Sequence, residues 1–513
     1  MSGLYRATKA VGGMTMISRV FGLIRDVILA RAFGAGAGFD VFIVVFRIPN
    51  FLRRLFAEGG FSQAFVPILA EYKETRNKEQ IQALLDQTVA TLGLVLLAIS
   101  VVGVLGASLL ITLFAPGFVD DQGKFDLAAS MLQITFPYIL FISLTAFAGA
   151  ILNTWRNFSV PAFTPVFLNL SLIACALWLA PLFPPERQVV ALAWGVLIAG
   201  VVQLLFQVPF LLKLGLMPRP RLGGDPAGVR RVLILMLPTL FAASITQINL
   251  LIDTLIASFL QAGSISWLYY SDRLVEFPLG VFGVALATVI LPNLSAEHAK
   301  GSTETYGKIL TWAIGLVFLI ALPAAFGLAI LAKPMLTTLF HYGDFNATDV
   351  SMAGRSLAAY AIGLPGFILV KVLASAFFSR QDTATPVKVG VIALLSNIVL
   401  NIILVFPLAH AGLALATSLS AYINAGLLYL MLIRRGHYQS TLTVLKLLVR
   451  IIIAVAVMSM LLLMFLPAIE LWYEWGVYQR VLQLTLWVVG GALVYVMVLF
   501  LGGLRPAHLA TPA

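Results

Sequence analysis

LIRDVILA, at residues 23–30, recurs in closely similar form as LLIDTLIA at residues 250–257. Three further pairs follow in the same order: residues 48–49 with 277–278, 67–71 with 292–297, and 150–161 with 376–386. The offset between the partners stays between 225 and 229 residues. One pair of apolar segments would mean little, but four pairs in register indicate an internal duplication.

The composition places the duplicated chain in a membrane. Of its 513 residues, 60% are hydrophobic and only 11% are charged, whereas about 25% are charged in soluble domains. The mean hydropathy is +0.99. These values exclude a peripheral protein, a single-span anchor and an outer-membrane barrel, whose strands alternate and are weakly hydrophobic.

Apolar runs between polar or Gly/Pro breaks predict an all-α polytopic protein with fourteen transmembrane helices. Each repeat holds six helices, and an even number gives both copies the same orientation, so the lobes are expected to be related by an axis along the membrane normal. The predicted domains are an N-lobe at 1–218, a C-lobe at 219–440 and a two-helix tail at 441–513. The predicted helices are 8–33, 38–70, 84–114, 128–152, 160–182, 188–212, 231–259, 265–296, 305–332, 349–378, 386–407, 411–434, 445–467 and 480–503.

The lysines and arginines orient these helices. With the N-terminus inside, most of them fall in cytoplasmic segments, and only Lys124, Arg187, Lys333 and Arg480 fall in outer loops. This bias predicts a multi-pass protein with both termini in the cytoplasm. It also explains the basic isoelectric point, so no nucleic-acid partner is predicted.

Ionisable residues inside the predicted helices are the strongest functional signal. One arginine at the centre of a bilayer costs at least about 2.5–3.5 kcal/mol, so these groups are expected to snorkel, to pair or to line a wet cavity. Arg31, Arg47, Arg53 and Arg54 could snorkel near helix ends, and Asp26 and Asp272 could neutralise adjacent arginines. The whole set is Arg19, Arg25, Arg31, Arg47, Arg53, Arg54, Arg273, Arg355, Lys371, Asp26, Asp40, Glu58, Asp253, Asp272 and Glu276.

The distribution of these charges favours a binding cavity. They concentrate in helices 1, 2 and 8, which are expected to face the other lobe, and their sum is positive. A cationic cavity predicts an anionic substrate, and arginine is preferred where phosphate is bound through two parallel hydrogen bonds.

Other functional classes find little support in the sequence. It contains no phosphate loop of the type G-x-x-x-x-G-K-[ST], no histidines at metal-ligand spacing and no recognisable catalytic triad, so no enzyme is predicted. A coupling site for Na⁺ or H⁺ is conceivable at Asp253, Asn397, Asn401 and Thr417, where hard oxygen ligands surround one carboxylate. The alternative is that these side chains only form hydrogen bonds between helices.

Four long motifs lie in these charged regions and in the repeated segments: Met14–Asp26, Phe46–Pro67, Tyr270–Pro278 and Ser379–Pro386. They closely resemble the MurJ (MviN) family of bacterial lipid II flippases. The resemblance runs nearly end to end and implies the fold of the multidrug/oligosaccharidyl-lipid/polysaccharide (MOP) exporters, with two six-helix lobes in a V. It further implies that helices 13 and 14 form a hydrophobic groove for a lipid tail.

The same resemblance implies a function in cell-wall synthesis, at the bacterial cytoplasmic membrane. The substrate would be lipid II, an undecaprenyl-diphosphate-linked disaccharide-pentapeptide that moves from the inner to the outer leaflet among membrane lipids, next to the peptidoglycan-synthesis machinery. Arg19, Arg25, Arg53 and Arg273 fall on the family's diphosphate-binding positions, and Asp40, Glu58 and Glu276 on its functional or gating acids. Asp253, Asn397, Asn401 and Thr417 fall on a sodium site, although Asn401 stands where a carboxylate can occur.

Three alternatives stay open at this point. A flippase for another polyprenyl-diphosphate glycan would need nearly the same cavity. A cation-coupled antiporter of the same fold would favour an acidic or aromatic cavity. A membrane enzyme acting on lipid-linked sugars would need a catalytic acid/base pair or a metal site.

Overall fold

A computed structural model describes residues 2–54, 61–438 and 442–505 of the chain. The described residues form helices and contain no strand. By packing, the chain divides into a first unit, Met1–Ile265, and a second unit, Ser266–Ala513. The all-α membrane fold predicted from the sequence is confirmed.

The first unit is built from long helices and from shorter pieces at proline breaks. Its longest helices end near glycine or polar residues. Its elements are α1 Ser2–Phe33, α2 Ala37–Arg53, α3 Ser62–Thr75, α4 Lys78–Leu105, α5 Ala107–Phe114, α6 Gln122–Thr135, α7 Tyr138–Thr154, α8 Ser159–Phe163, α9 Val166–Ala174, α10 Val190–Leu214 and α11 Pro226–Ala257.

The second unit begins within α12 and continues to the end of the chain. A π-helical turn, Leu279–Gly283, joins its first two helices. Its elements are α12 Ser264–Pro278, α13 Val284–Ala299, α14 Thr303–Ile330, α15 Ala332–Phe340, α16 Ala347–Phe378, α17 Ala384–Leu408, α18 His410–Arg434, α19 Leu442–Phe465, α20 Ile469–Glu474 and α21 Val477–Leu501.

Eleven helical segments among the described residues are long and apolar enough to cross a membrane. They coincide with eleven of the fourteen predicted spans. The other three predicted spans correspond to α1, which carries charges along its length, to α2 with α3, and to α11. Residues 55–60, between α2 and α3, lie outside the described part of the chain, and Gln247–Ala257 is a shorter apolar stretch among the described residues of α11.

The duplication is visible as one turn that occurs in both units. At the end of α7, Arg156 has a positive φ of 62°, and at the end of α16, Gln381 has a φ of 61°. Each turn closes with the same backbone bond, from Asn157 N–H to Leu152 O at 2.8 Å and from Asp382 N–H to Phe377 O at 3.1 Å. This pattern is a helix C-cap with a left-handed residue, and the two copies lie 225 residues apart.

The segment between α10 and α11 is hydrogen-bonded to the N-terminal part of α4 and to α3. Asp86 accepts the N–H of Arg219 at 2.8 Å, and the Gln82 amide donates to Met217 O at 2.9 Å. Tyr72 donates to the Asp225 carboxylate at 2.7 Å, and Asp225 in turn caps α11. These bonds fix where α11 starts.

The packing places α11 in the first unit. The domain limits at residues 218 and 440, which were inferred from the repeat, stay a prediction. They follow from the sequence similarity between the two copies, whereas the two units follow from contacts in the structure.

Candidate functional site

Arg25 is the best-defined member of the arginine set. Its side chain lies buried in the first unit, 7% exposed, and donates to the Asp26 carboxylate through Nε at 2.9 Å and Nη2 at 2.6 Å. Its Nη1 donates to Asn169 Oδ1 at 3.0 Å. One carboxylate and one amide therefore orient the guanidinium within helix-lined surroundings, where an unpaired charge would be costly.

Asn169 also ties the two helices together. While its oxygen accepts from Arg25, its amide Nδ2 donates to the backbone oxygen of Ser18 at 3.1 Å. The bond joins α9 to α1 one residue before Arg19, which lies exposed on the same helix. A polar residue in an apolar helix was the only signal for Asn169 in the sequence, and the sequence-based reasoning did not single it out.

The arginines of α2 bind polar side chains. Arg53 donates to Asn50 Oδ1 at 2.9 Å within its own helix. Arg47 donates to the Thr254 hydroxyl, and Arg54 donates to Gln247 Oε1 at 3.3 Å. Thr254 and Gln247 belong to α11, so Arg47 connects α2 to α11, and Arg54, the residue that follows α2, adds a second connection. This is a structural role beyond the snorkelling considered from sequence.

The acidic positions have separate surroundings. Asp40 is buried, 4% exposed, and accepts the backbone N–H of Gly263 at 2.6 Å. Gly263 has a φ of 98°, a conformation that L side chains rarely adopt, so Asp40 holds a turn that requires glycine. Glu58 lies outside the described residues.

Arg273 and Glu276 lie on α12 in the second unit. They form an ion pair at 2.8 Å, one helical turn apart, as their spacing predicts. The Arg273 guanidinium also lies over the Tyr269 ring, 4.9 Å from its centroid. Both side chains are partly accessible, so the pair is open to exchange with another anion.

Three of the four predicted ion-site residues meet in the second unit. Asn401 Nδ2 donates to Asn397 Oδ1 at 2.9 Å, and Asn397 Nδ2 donates to the Thr417 hydroxyl at 3.3 Å. Both asparagines are fully buried. Amide and hydroxyl oxygens are ligands that suit a hard cation such as Na⁺. Asp253, the fourth residue, belongs to the first unit, and the described residues contain no group of three or more His, Cys, Asp or Glu side chains that could hold a metal ion.

An apolar cavity of about 380 Å³ lies in the second unit at the start of α19. The sequence-based expectation assigned a lipid groove to helices 13 and 14, and α19 is the first of these. The described cavity is bounded by α14, α16, α18 and α19, and its lining residues are Ile314, Phe318, Leu369, Leu373, Tyr422, Ala425, Gly426, Tyr429, Val444, Leu445 and Leu448.

Arg480 is a buried charge whose role the sequence did not reveal. The sequence places it in an outer loop, but it lies in the first turn of α21 with 5% of its surface exposed. No spacing or motif marks it, because four of its five partners are backbone carbonyl groups, which carry no sequence signature.

Comparison with known proteins identifies relatives over nearly the whole chain. The family model described as lipid II flippase MurJ matches residues 29–485. A probable lipid II flippase MurJ of Vibrio cholerae serotype O1 is 49% identical over 502 residues, which cover 96% of this chain and 95% of that protein.

Two solved structures agree with the sequence relatives. A lipid II flippase MurJ in an inward closed conformation has a TM-score of 0.80 at 27% identity, covering 95% of this chain and 97% of that one. An inward-facing multidrug resistance transporter of the MATE family in the MOP superfamily has a TM-score of 0.70 at 15% identity, covering 83% and 97%. The second likeness concerns the fold alone.

Proposed function

Because the chain belongs to the lipid II flippase MurJ family, we propose that it moves lipid II from the inner to the outer leaflet of the cytoplasmic membrane by alternating access. The expectation of a lipid II flippase with the MOP fold is confirmed at the level of the family. The family is one of transporters, and we infer that this chain performs no catalysis on its substrate.

The observation that carries the proposal to individual residues is the buried Arg25, held by Asp26 and Asn169. We assign the diphosphate of lipid II to Arg25 together with Arg19, Arg53 and Arg273. A guanidinium offers a rigid fork of donors that matches phosphate oxygens. Asp40, Glu58 and Glu276 are the acidic residues that we assign to gating.

The substrate acts on the conformational equilibrium through charge. Bound diphosphate offsets the mutual repulsion of the arginines and competes with the carboxylates that neutralise Arg25 and Arg273. A ligand shifts populations only through its difference in affinity between the two states. Lipid II is therefore proposed to favour the conformational state in which the arginines lie closest to its diphosphate, because it binds that state more tightly.

The energy that gives transport its direction must come from outside the substrate. The sequence contains no phosphate loop for a nucleotide. We propose that the membrane potential or coupling to Na⁺ or H⁺ supplies it. Asn397, Asn401 and Thr417 would hold Na⁺ through their oxygens, and Asp253 would supply the negative charge.

The lipid tail is assigned to the apolar surface at α19. The cavity of about 380 Å³ there lies in the size range of ligand sites, about 300–1,000 Å³. Its lining is almost entirely aliphatic and aromatic, as an isoprenoid chain requires. Both termini are proposed to face the cytoplasm, where the peptidoglycan precursor is made, and proteins that use lipid II at the outer surface are proposed as neighbours.

Complementation of a strain depleted of its own flippase tests the residue assignment. Arg25→Ala and Arg273→Ala should abolish growth while the proteins still insert in the membrane. Arg187→Ala is the control, because Arg187 is an exposed arginine of a predicted outer loop. Full growth with both cavity variants would contradict the assignment.

The same strain separates the rival substrates. If labelled lipid II stays inaccessible at the outer surface after depletion, lipid II is the cargo. If lipid II reaches the surface normally while another polyprenyl-diphosphate glycan does not, that glycan is the cargo. Efflux of a small cation from loaded vesicles would instead favour the antiporter.

A further inference from the structure

Every N–H group of the Arg480 guanidinium donates a hydrogen bond. Arg480 and its partners Thr337, His341, Trp472 and Tyr473 are called the Arg480 junction below. Nε donates to Trp472 O at 2.8 Å, and Nη2 donates to Tyr473 O at 2.9 Å and His341 Nδ1 at 3.4 Å. Nη1 donates to Thr337 O at 3.4 Å and His341 O at 3.1 Å. These five bonds match the five N–H groups of an arginine side chain, and none of the acceptors is a carboxylate.

The junction joins three parts of the second unit. Thr337 and His341 belong to α15 and the residue after it, Trp472 and Tyr473 belong to α20, and Arg480 belongs to α21. Helices α19 and α21, with α20 between them, are the tail that the duplication does not explain. Removing the guanidinium would take its donor from four backbone oxygens, of which Thr337 O keeps the backbone N–H of His341 at 3.3 Å. A backbone oxygen left without any donor in buried surroundings destabilises the fold.

A second hydrogen bond connects the tail helices α19–α21 to the rest of the second unit, nearer the C-terminal end of α21. The Tyr495 hydroxyl on α21 donates to Leu319 O on α14 at 2.7 Å. Helix α19 packs between α14 and α21, in a cluster that includes Ile451, Val455 and Met458. Because α19 also supplies Val444, Leu445 and Leu448 to the apolar cavity, the position of the tail determines the shape of that cavity.

His341 makes the junction sensitive to protons. Its Nδ1 accepts from Arg480, so the ring can accept this bond only while Nδ1 is unprotonated. The groups that face it are Arg480 from α21, Tyr473 from α20 with ring centroids 4.8 Å apart, and its neighbour Tyr342, whose ring lies under the guanidinium. Burial first, and the Arg480 charge second, lower the pKa of His341. Tyr473 stays neutral, because burial and Glu470 raise its pKa.

We propose that Arg480 is a positioning residue for the lipid tail of the substrate, and that protonation of His341 loosens the junction through which it acts. Arg480 fixes α20 and α21, these hold α19, and α19 forms one wall of the apolar cavity. The inference rests on the proposed function, since it assigns the cavity to the tail of lipid II.

The length of the substrate's lipid tail distinguishes a positioning role of Arg480 from a general loss of protein stability. Translocation would be measured in proteoliposomes with fluorescent lipid II that carries either an undecaprenyl or a farnesyl tail. Arg480→Ala should slow the long-tailed substrate about tenfold, equivalent to about 1.4 kcal/mol, and leave the short-tailed one nearly unchanged. Arg480→Lys should be intermediate, because one ammonium cannot replace five directed donors. Arg450→Ala, an exposed arginine on α19, is the control.

The outcomes separate the inference from the function on which it rests. If wild-type protein moves neither substrate, the proposed function is wrong. If it moves both and Arg480→Ala slows both equally, or neither, the positioning role is wrong. Should Arg480→Ala not fold, Arg480→Lys carries the same comparison.

Acidity provides a readout that a purely structural residue would not change. His341 is half-buried and its pKa is lowered in the folded protein. Its contribution to stability is therefore complete above the ordinary pKa of about 6.5 and is lost as the pH falls below that value toward the lowered pKa. Long-tailed transport by the wild type should therefore decline as the pH falls from about 6.5 to about 5.5, and His341→Gln should flatten this decline. Parallel pH profiles for the two proteins would overturn the role of His341.

Discussion

At the residue scale, Arg25 shows how this protein keeps a cation inside a membrane. It has a carboxylate on its own helix and an amide on α9, 144 positions later in the chain. The sequence allowed the arginine and Asp26 to be predicted, because charges in an apolar helix are conspicuous. It did not allow the choice of Asn169, because which helix packs against α1 is decided by tertiary contacts.

Substituting lysine for Arg25 replaces the planar guanidinium by an ammonium group and so tests what Arg25 contributes beyond its positive charge. Arg25→Lys keeps one positive charge but cannot bind Asp26 and Asn169 and present a bidentate face at once. Growth of the depleted strain should be intermediate between wild type and Arg25→Ala. Growth equal to wild type would mean that charge alone suffices.

Gly412 marks a close approach of two backbones. A Cβ at this position would lie 2.1 Å from Leu404 O, a backbone atom that cannot rotate away. Gly412→Ala should lower the free energy of unfolding by about 1–3 kcal/mol, seen as a lower melting temperature of the purified protein. Gly390→Ala is the matched control on α17, where a Cβ meets nothing within 4 Å, and it should leave the melting temperature unchanged or raise it. An equal effect of both substitutions on the melting temperature would contradict the close approach of Gly412 to Leu404 O.

At the element scale, the long helices follow from hydropathy and the short ones do not. Predicted spans such as 349–378 and 411–434 agree closely with α16, Ala347–Phe378, and α18, His410–Arg434. The pieces α15 and α20 contain few residues, so their apolar pattern is too short to distinguish from a loop. They are nevertheless the elements that surround Arg480.

The two duplicated C-cap turns carry the same strain. Arg156 and Gln381 both occupy the left-handed region, which costs an L-residue about 1–2 kcal/mol and costs glycine far less. Arg156→Gly and Gln381→Gly should each raise the stability by about 1 kcal/mol, measured by thermal unfolding in detergent. A decrease for both would show that their side chains contribute more than the backbone strain removes.

The loop before α17 contains an acid-sensitive ion pair. Asp382 accepts from Thr385 Oγ1 at 2.6 Å and from Arg435 Nη1 at 2.6 Å. The bond from Thr385 first, and then Arg435, lower the pKa of Asp382 to about 2. A lowered carboxyl pKa stabilises the fold above its ordinary value near 4, and this contribution disappears as the pH falls toward 2.

Asp382→Asn tests this contribution. At pH 7 the variant should be less stable than wild type by about 1–2 kcal/mol, since the group is only partly exposed. The difference should close as the pH is lowered from 4 to 2, followed by chemical unfolding at each pH. A difference that persists unchanged at pH 2 would contradict the assigned pKa.

At the scale of the whole molecule, the polytopic helical fold could be predicted from sequence and is confirmed. The sequence also predicts a duplication, a tail of two long helices and a group of arginines inside helices. Of these arginines, the structure buries Arg25 and leaves Arg19 exposed. The repeat limits are a different matter. Helix α11 begins the second copy in sequence, yet Arg47 and Arg54 bind it to α2. Such contacts between side chains of different helices cannot be read from periodicity.

The proposed function depends on arginine side chains, among them the buried Arg25 and the half-exposed Arg273, that bind the diphosphate of lipid II. Its most direct test is translocation of lipid II by the purified protein in proteoliposomes, comparing wild type with Arg25→Ala and Arg273→Ala at equal incorporation. We expect wild-type protein to transfer lipid II between leaflets, and each variant to lose at least about tenfold in rate. Transfer by both variants at the wild-type rate would contradict the claim.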